Sequence, residues 1–185
     1  VESRRAGARL RFRRADGADT AAAQAAYRTI LEHLAATVDY PHWHSENHPT
    51  PAEVQAWVQG GQLYLAVDDA DAGAVAGVVV LNHDAPDAYL EAPWTIDARP
   101  LEALMVHALG VTPGFLRQGV ARFLVDASLD VARQAGCRAV RLDTYVGNTP
   151  ARQLYTGYGF TDLGVHTLHY EGTELDRFHL FEYVL

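Results

Sequence analysis

Between Leu101 and Val146 the hydrophobic period changes twice, and this change limits the fold more than any other feature of the chain. "LEALMVHALGV" (101–111) is a nearly unbroken apolar run, the pattern of a buried strand. Residues 119–134 then place Val120, Phe123, Leu124, Ala127 and Val131 at i, i+3, i+4, i+7 and i+11, the stripe of an amphipathic helix. Gly136 ends it. "RAVRLDTYV" (138–146) alternates through Val140, Leu142 and Thr144, which is strand period. Strand, helix and strand in direct succession make a right-handed βαβ crossover, so the two strands should run parallel.

The flanking segments supply antiparallel strands and further helices. "ARLRFRRA" (8–15) reads as an edge strand through Leu10 and Phe12. Asp19 or Thr20 can cap a helix to about Val38, with Ala22, Ala26, Ile30, Leu31 and Leu34 on one face. A proline-punctuated loop (38–51) leads to a short helix, "PAEVQAWVQG", capped by Thr50. Residues 62–69 and 74–83 read as a hairpin across the acidic turn "DDADAG". A polar loop fills 84–100. After residue 146, Asn148 or Thr149 caps a helix with Pro150 in its first turn; it ends near Gly157 and Gly159. Strands at about 160–169 and 176–185 close the chain. The order β–α–α–β–β–β–α–β–α–β–β predicts an α/β (mixed α+β) fold: a mostly antiparallel central sheet of about seven strands, helices on both faces, and one parallel crossover. The whole chain, 1–185, reads as a single domain.

Charge and composition exclude several functions. The net charge is −8, but residues 1–14 hold six Arg and one Glu, or +5, which leaves −13 for the rest. Such a body does not suit nucleic acid, because phosphate binding needs a basic face. The Arg-rich start reads as a solvated tail. All fifteen basic residues are Arg, which removes Schiff-base chemistry and a P-loop lysine and leaves any phosphate to Arg or main-chain N–H groups. No apolar run approaches the ~20 residues of a membrane span. Cys137 is the only cysteine, so no internal disulfide forms, and a cytoplasmic setting is the expectation. His42, His44 and His48 have ligand-like spacing, but no Cys or patterned carboxylate completes a set; no metal is expected.

The turn joining 111 to 119, inside "VTPGFLRQGVARFLV", is glycine-bearing, basic and free of acid until Asp126. The first N–H groups of a helix have no internal acceptors and converge on one place. That is an anion site when the residues allow close approach, as Gly119 and the small Ala121 do. Arg117 and Arg122 add positive charge. An ordinary strand–helix turn would also contain glycine, and neither GxxxxGK[ST] nor GxGxxG is present.

Taken with "NTPARQLYTGYGF" (148–160), this segment resembles the two signature segments of the GNAT superfamily of acyl-CoA-dependent N-acyltransferases. The resemblance is densest over 103–160. The family's first segment, Q/R-x-x-G-x-G/A, is represented by Leu116, Arg117, Gln118, Gly119, Val120 and Ala121, with Leu116 in place of the polar first residue. The resemblance implies acetyl-CoA as cosubstrate, with its pantetheine arm on the main chain of Leu109, Gly110 and Val111 and its diphosphate on amides of residues 117–122. It implies that Asn148 touches the pantetheine side and that Tyr155 faces the thioester sulfur, one parallel crossover forming the cofactor cleft. The implied reaction is direct attack by a primary amine, of a small molecule or a protein terminus, with Tyr155 as general acid. His107 is the candidate base, with Glu102 and Asp143 as rivals and a buried structural histidine as the plain reading. The loop 40–49, with Tyr89 and Trp94, is expected on the acceptor side. Cys137 reads as structural. No nucleic-acid or membrane partner is implied, and a homodimer is compatible with this reading. A non-catalytic acyl-CoA sensor of the same fold, or a structural protein, would carry the same segments.

Overall fold

A computed structural model of the protein describes residues 9–170 and 173–185. The Arg-rich start at 1–8 lies outside the described residues. Seven strands appear in the predicted order: β1 (Leu10–Arg14), β2 (Leu63–Asp68), β3 (Ala74–Asn82), β4 (Ala103–Val111), β5 (Ala139–Tyr145), β6 (Thr161–Thr167) and β7 (Arg177–Val184). Among the described residues, four α-helices fall between them, two after β1 and one on each side of β5: α1 (Thr20–Ala36), α2 (Pro51–Gln59), α3 (Val120–Gln134) and α4 (Thr149–Tyr158). The sheet order is β1-β2-β3-β4-β5-β7-β6. The pairs β1–β2, β2–β3, β5–β7 and β6–β7 are antiparallel. β4 and β5 are parallel neighbours, as the crossover rule requires, over Ala103–Met105 and Ala139–Arg141.

The chain forms two compact units. The first contains residues up to Asp39, Trp43–Leu81 and His107–Ser128. Its core joins Tyr27 and Ile30 of α1, Val54 and Val58 of α2, and Leu63, Leu65, Val67, Val78 and Val80 of the hairpin. α2 starts where the sequence places it: the Thr50 hydroxyl accepts from Glu53 N–H, and the Glu53 carboxylate accepts from Thr50 N–H. α1 differs at its start. The Asp19 side chain does not cap it; the carboxylate is held by Arg13 at 2.7 Å, and Asp16 caps a short 3-10 turn just before it. The buried face of α1 is Ala23, Ala26, Tyr27 and Ile30, whereas Ala22 is exposed. Ala26 and Ile30 lie on it as expected and Leu34 packs at its edge, while Tyr27, which an apolar count leaves out, belongs to it.

The second unit contains Tyr40–His42, Asn82–Val106 and Leu129–Leu185. Tyr89, Ala103, Met105, Leu168, Phe178 and Leu180 form its core. β5 is buried on both faces, so the alternation of Val140, Leu142 and Thr144 describes only half of it. Arg141 is also buried, and its Nε donates to Glu182 at 2.9 Å. The second Glu182 oxygen accepts from Thr95 N–H at 2.8 Å and from the Thr95 hydroxyl. The Arg141 guanidinium also donates to the Ile96 carbonyl and lies 4.4 Å over the Trp94 ring. One buried ion pair therefore ties the 92–97 segment to two strands.

Candidate active site

The end of β4 is pinned before the turn begins. Thr112 N–H donates to the Ala76 carbonyl at 2.9 Å, and its hydroxyl donates to the Val75 carbonyl at 2.8 Å. Pro113–Phe115 forms a 3-10 turn, and α3 starts at Val120. Between them Arg117 (φ +62°) and Gly119 (φ +79°) both take left-handed backbone. Gly119 is exposed, and a Cβ added there would meet nothing within 4 Å. Among the described residues, no N–H of residues 117–121 donates to a main-chain carbonyl, and the Phe123 N–H bonds to the Gly119 carbonyl. Leu116, Arg117 and Arg122 are exposed, Gln118 donates from its side chain to the Gly114 carbonyl, and Val120 anchors the helix in the interior. The first turn of α3 holds no acidic residue.

The strand leading to this turn has a feature the sequence does not reveal. Ala108 has φ +48°, a conformation rare for a residue with a Cβ. Its carbonyl accepts a 2.8 Å bond from the hydroxyl of Tyr27 on α1. The next residues, Leu109, Gly110 and Val111, are those predicted for the pantetheine. Gly110 is buried where a Cβ would stand 2.9 Å from Ile30 and 3.3 Å from Trp43. His107 is half-buried, one residue before the irregularity.

Asn148 and Tyr155 belong to the second unit. Asn148 caps α4 by accepting from Ala151 N–H at 3.3 Å. Tyr155 is buried against Phe160 and Phe181. Burial, and secondarily the charge of Asp143, pushes its pKa well above the usual 10, so the phenol stays protonated at neutral pH. Asp143, on β5, accepts from the Tyr89 hydroxyl at 2.6 Å and from the Tyr170 hydroxyl on the same oxygen. Sequence reasoning missed this cluster, because its members are separated by 54 and 27 positions.

The remaining candidates are accounted for by packing or pairing. Glu102 is bonded to Arg99 by both side chain and main chain, which lowers its pKa to about 2; a carboxylate so well satisfied is a poor base. Tyr89 is buried, and its carbonyl accepts from the Trp94 indole at 2.7 Å. Trp43 packs near Tyr27, His42 lies against Tyr145, and His48 pairs with Glu53 at 2.8 Å. Cys137 is buried, which raises its thiol pKa. No helix among the described residues is long and apolar enough to cross a membrane.

Comparison with known proteins places this geometry in context. Residues 24–160 match the acetyltransferase (GNAT) family. A mycothiol acetyltransferase from Beutenbergia cavernae is 34% identical over 114 residues, 62% of this chain and 33% of that one. The chain thus spans about a third of the length of this curated relative. A GNAT-family acetyltransferase from Listeria monocytogenes superposes with a TM-score of 0.71 at 17% identity, covering 95% of each chain. The Salmonella typhimurium protein yncA, solved with its cofactor acetyl-CoA, superposes with a TM-score of 0.65 at 19% identity over 96% of this chain and 94% of its own. At such identities the structures establish a shared fold.

Proposed function

Because this chain belongs to the acetyltransferase (GNAT) family, we propose that it moves an acetyl group from acetyl-CoA to a primary amine by direct attack. The observation that carries this reading is the turn before α3. Among the described residues its amides at 117–121 have no main-chain acceptors, the first turn of α3 holds no acid, and Gly119 leaves open space above its own backbone. These amides, with exposed Arg117 and Arg122, hold the diphosphate. The main chain of Leu109–Val111 receives the pantetheine, with Asn148 as a further candidate contact.

The amine must lose a proton, because a lysine-like amine with a pKa of about 10.4 is mostly charged at neutral pH. His107 takes that proton, directly or through water. The nitrogen lone pair forms the new C–N bond, the C–S bond breaks, and its electron pair leaves on sulfur. Tyr155 acts as general acid toward that sulfur. Its raised pKa refines the role: an ordinary thiol has a pKa of about 8.5, so full proton transfer from Tyr155 runs uphill by about 2 kcal/mol or more. The hydrogen bond to the developing thiolate is then its larger contribution, on the order of 1.5–3 kcal/mol.

The acceptor is an amine of a small molecule or of a protein terminus. The test is release of CoA thiol with a panel of primary amines. Turnover that falls roughly ten- to hundredfold in Tyr155→Phe, with a shifted pH–rate profile in His107→Ala, supports the assignment. Acetyl-CoA binding without turnover on any amine points instead to an acyl-CoA sensor. A pH–rate profile unchanged in His107→Ala removes His107 as the base.

A further inference from the structure

A buried hydroxyl on α1 bonds to the residue just before the predicted pantetheine segment, and it belongs to Tyr27, which has no assigned role. Tyr27 is 1% exposed and lies among the apolar side chains of the first unit, flanked by the rings of Trp43 and Trp57 at 6.1 and 6.0 Å. A hydroxyl carried so deep needs a partner. It finds the carbonyl of Ala108, 81 positions away in sequence, at 2.8 Å.

That carbonyl sits at the strand's one conformational irregularity, where φ turns to +48°. In a trans peptide, the carbonyl of one residue and the N–H of the next point in opposite directions. Holding the Ala108 oxygen toward α1 therefore fixes the Leu109 N–H pointing away from α1. The neighbouring contacts keep the peptide from adjusting. Gly110 abuts Ile30 of the same helix so closely that a Cβ would stand 2.9 Å away, and Thr112 is tied to β3 on the other side. A hydrogen bond to the carbonyl also polarises the peptide, which strengthens the Leu109 N–H as a donor by roughly 10–30%.

We propose that Tyr27 is a positioning residue for acyl transfer: by holding the Ala108 carbonyl, its hydroxyl aims the Leu109 N–H at the thioester carbonyl oxygen of acetyl-CoA. This rests on the acetyl-CoA reading above. The reacting carbon becomes tetrahedral when the amine adds, and the charge that grows on its oxygen is met by a donor already oriented. Tyr27 itself touches neither substrate nor cosubstrate.

The test separates positioning from plain packing through the ligand's carbonyl. Acetyl-CoA and S-ethyl-CoA, in which a methylene replaces that carbonyl, are titrated by calorimetry into the full chain and into Tyr27→Phe, which keeps the ring and removes only the hydroxyl. The wild-type protein is expected to bind acetyl-CoA at least several-fold more tightly. In Tyr27→Phe that preference should shrink to near one, kcat for acetyl transfer should fall about tenfold or more, and the S-ethyl-CoA Kd should stay within about twofold. A preference retained in Tyr27→Phe, or absent from the wild type, overturns the proposal. Should Tyr27→Phe not fold, the wild-type Leu109 amide resonance decides: it must shift with acetyl-CoA and not with S-ethyl-CoA. A wild-type protein that binds neither ligand overturns the acetyl-CoA reading itself, an outcome distinct from binding both equally.

Discussion

Replacing Gly119 with alanine tests whether the turn before α3 is built for a ligand or only for the chain. The added Cβ would meet no protein atom within 4 Å, so no clash contributes to the cost. What remains is the backbone. At φ +79° an alanine sits in the left-handed region, which costs about 1–2 kcal/mol for a residue with a Cβ. For a chain of this size 1 kcal/mol corresponds to roughly 2–4 °C in Tm, so the melting temperature should fall by about 2–8 °C and the protein should remain folded. If the diphosphate lies on the amides around residue 119, the methyl occupies its place, and the Kd for acetyl-CoA should rise at least tenfold, about 1.4 kcal/mol. Gly136→Ala is the matched control. Gly136 follows α3, has φ +75°, and a Cβ there also meets nothing within 4 Å. It should lose a similar amount of Tm and leave the Kd unchanged. Scanning calorimetry measures the first effect, and isothermal titration well below Tm measures the second. The reasoning fails if both variants melt alike and bind acetyl-CoA alike.

Two further outcomes follow from buried and paired charge. Glu182→Ala should cost about 3–5 kcal/mol, because it leaves the buried Arg141 cation without its counterion; the double variant Arg141→Leu/Glu182→Leu should recover much of that loss, and a single-variant loss under about 1 kcal/mol by urea denaturation contradicts the account. The Asp19 and Glu102 carboxylates, held chiefly by hydrogen bonds from Arg13 and Arg99, have folded-state pKa values lowered to about 2. Their stabilisation is complete above the unfolded pKa of about 4 and is lost as pH falls through about 2. Stability measured from pH 5 down to 2 should therefore decline, and Asp19→Asn should flatten that decline; an unchanged slope contradicts the assignment.

The parts of the molecule legible in the sequence are those set by local pattern. The βαβ unit was visible because hydrophobic period changes at residues 111 and 138, and the observed β4, α3 and β5 follow those changes. The capping box at Thr50 and the cap at Asn148 are also short-range signals. Polarity misled where a polar group is satisfied inside. Ser128 is buried on α3 with its hydroxyl bonded to the Leu124 carbonyl, and Val125, Leu129 and Ala132 join it in the interior. The stripe through Phe123, Ala127 and Val131 therefore lies at the edge of the buried face rather than at its centre. Arg141 was invisible as a core residue because its partners, Glu182, Ile96 and Trp94, come from 41 to 47 positions away.

The candidate site divides in the same way. Gly119 could be identified because only its own backbone conformation and the lack of acid in the first turn of α3 were needed. Ala108 carries no such mark: nothing in "MVHALGV" distinguishes the residue that turns left-handed, and the partner of its carbonyl is a tyrosine on α1, 81 positions away. The Asp143 cluster likewise depends on two loop tyrosines meeting one carboxylate. Sequence patterns report what neighbours along the chain require, and these features depend on residues that meet only after folding.

The most direct measurement is a titration of isotope-labelled protein with CoA, followed at the backbone amides. If residues 117–121 hold the diphosphate, their amide resonances should shift most, and 3′-dephospho-CoA, which retains the diphosphate, should shift them too. CoA that binds while those five amides stay unmoved, or that does not bind at all, contradicts the account.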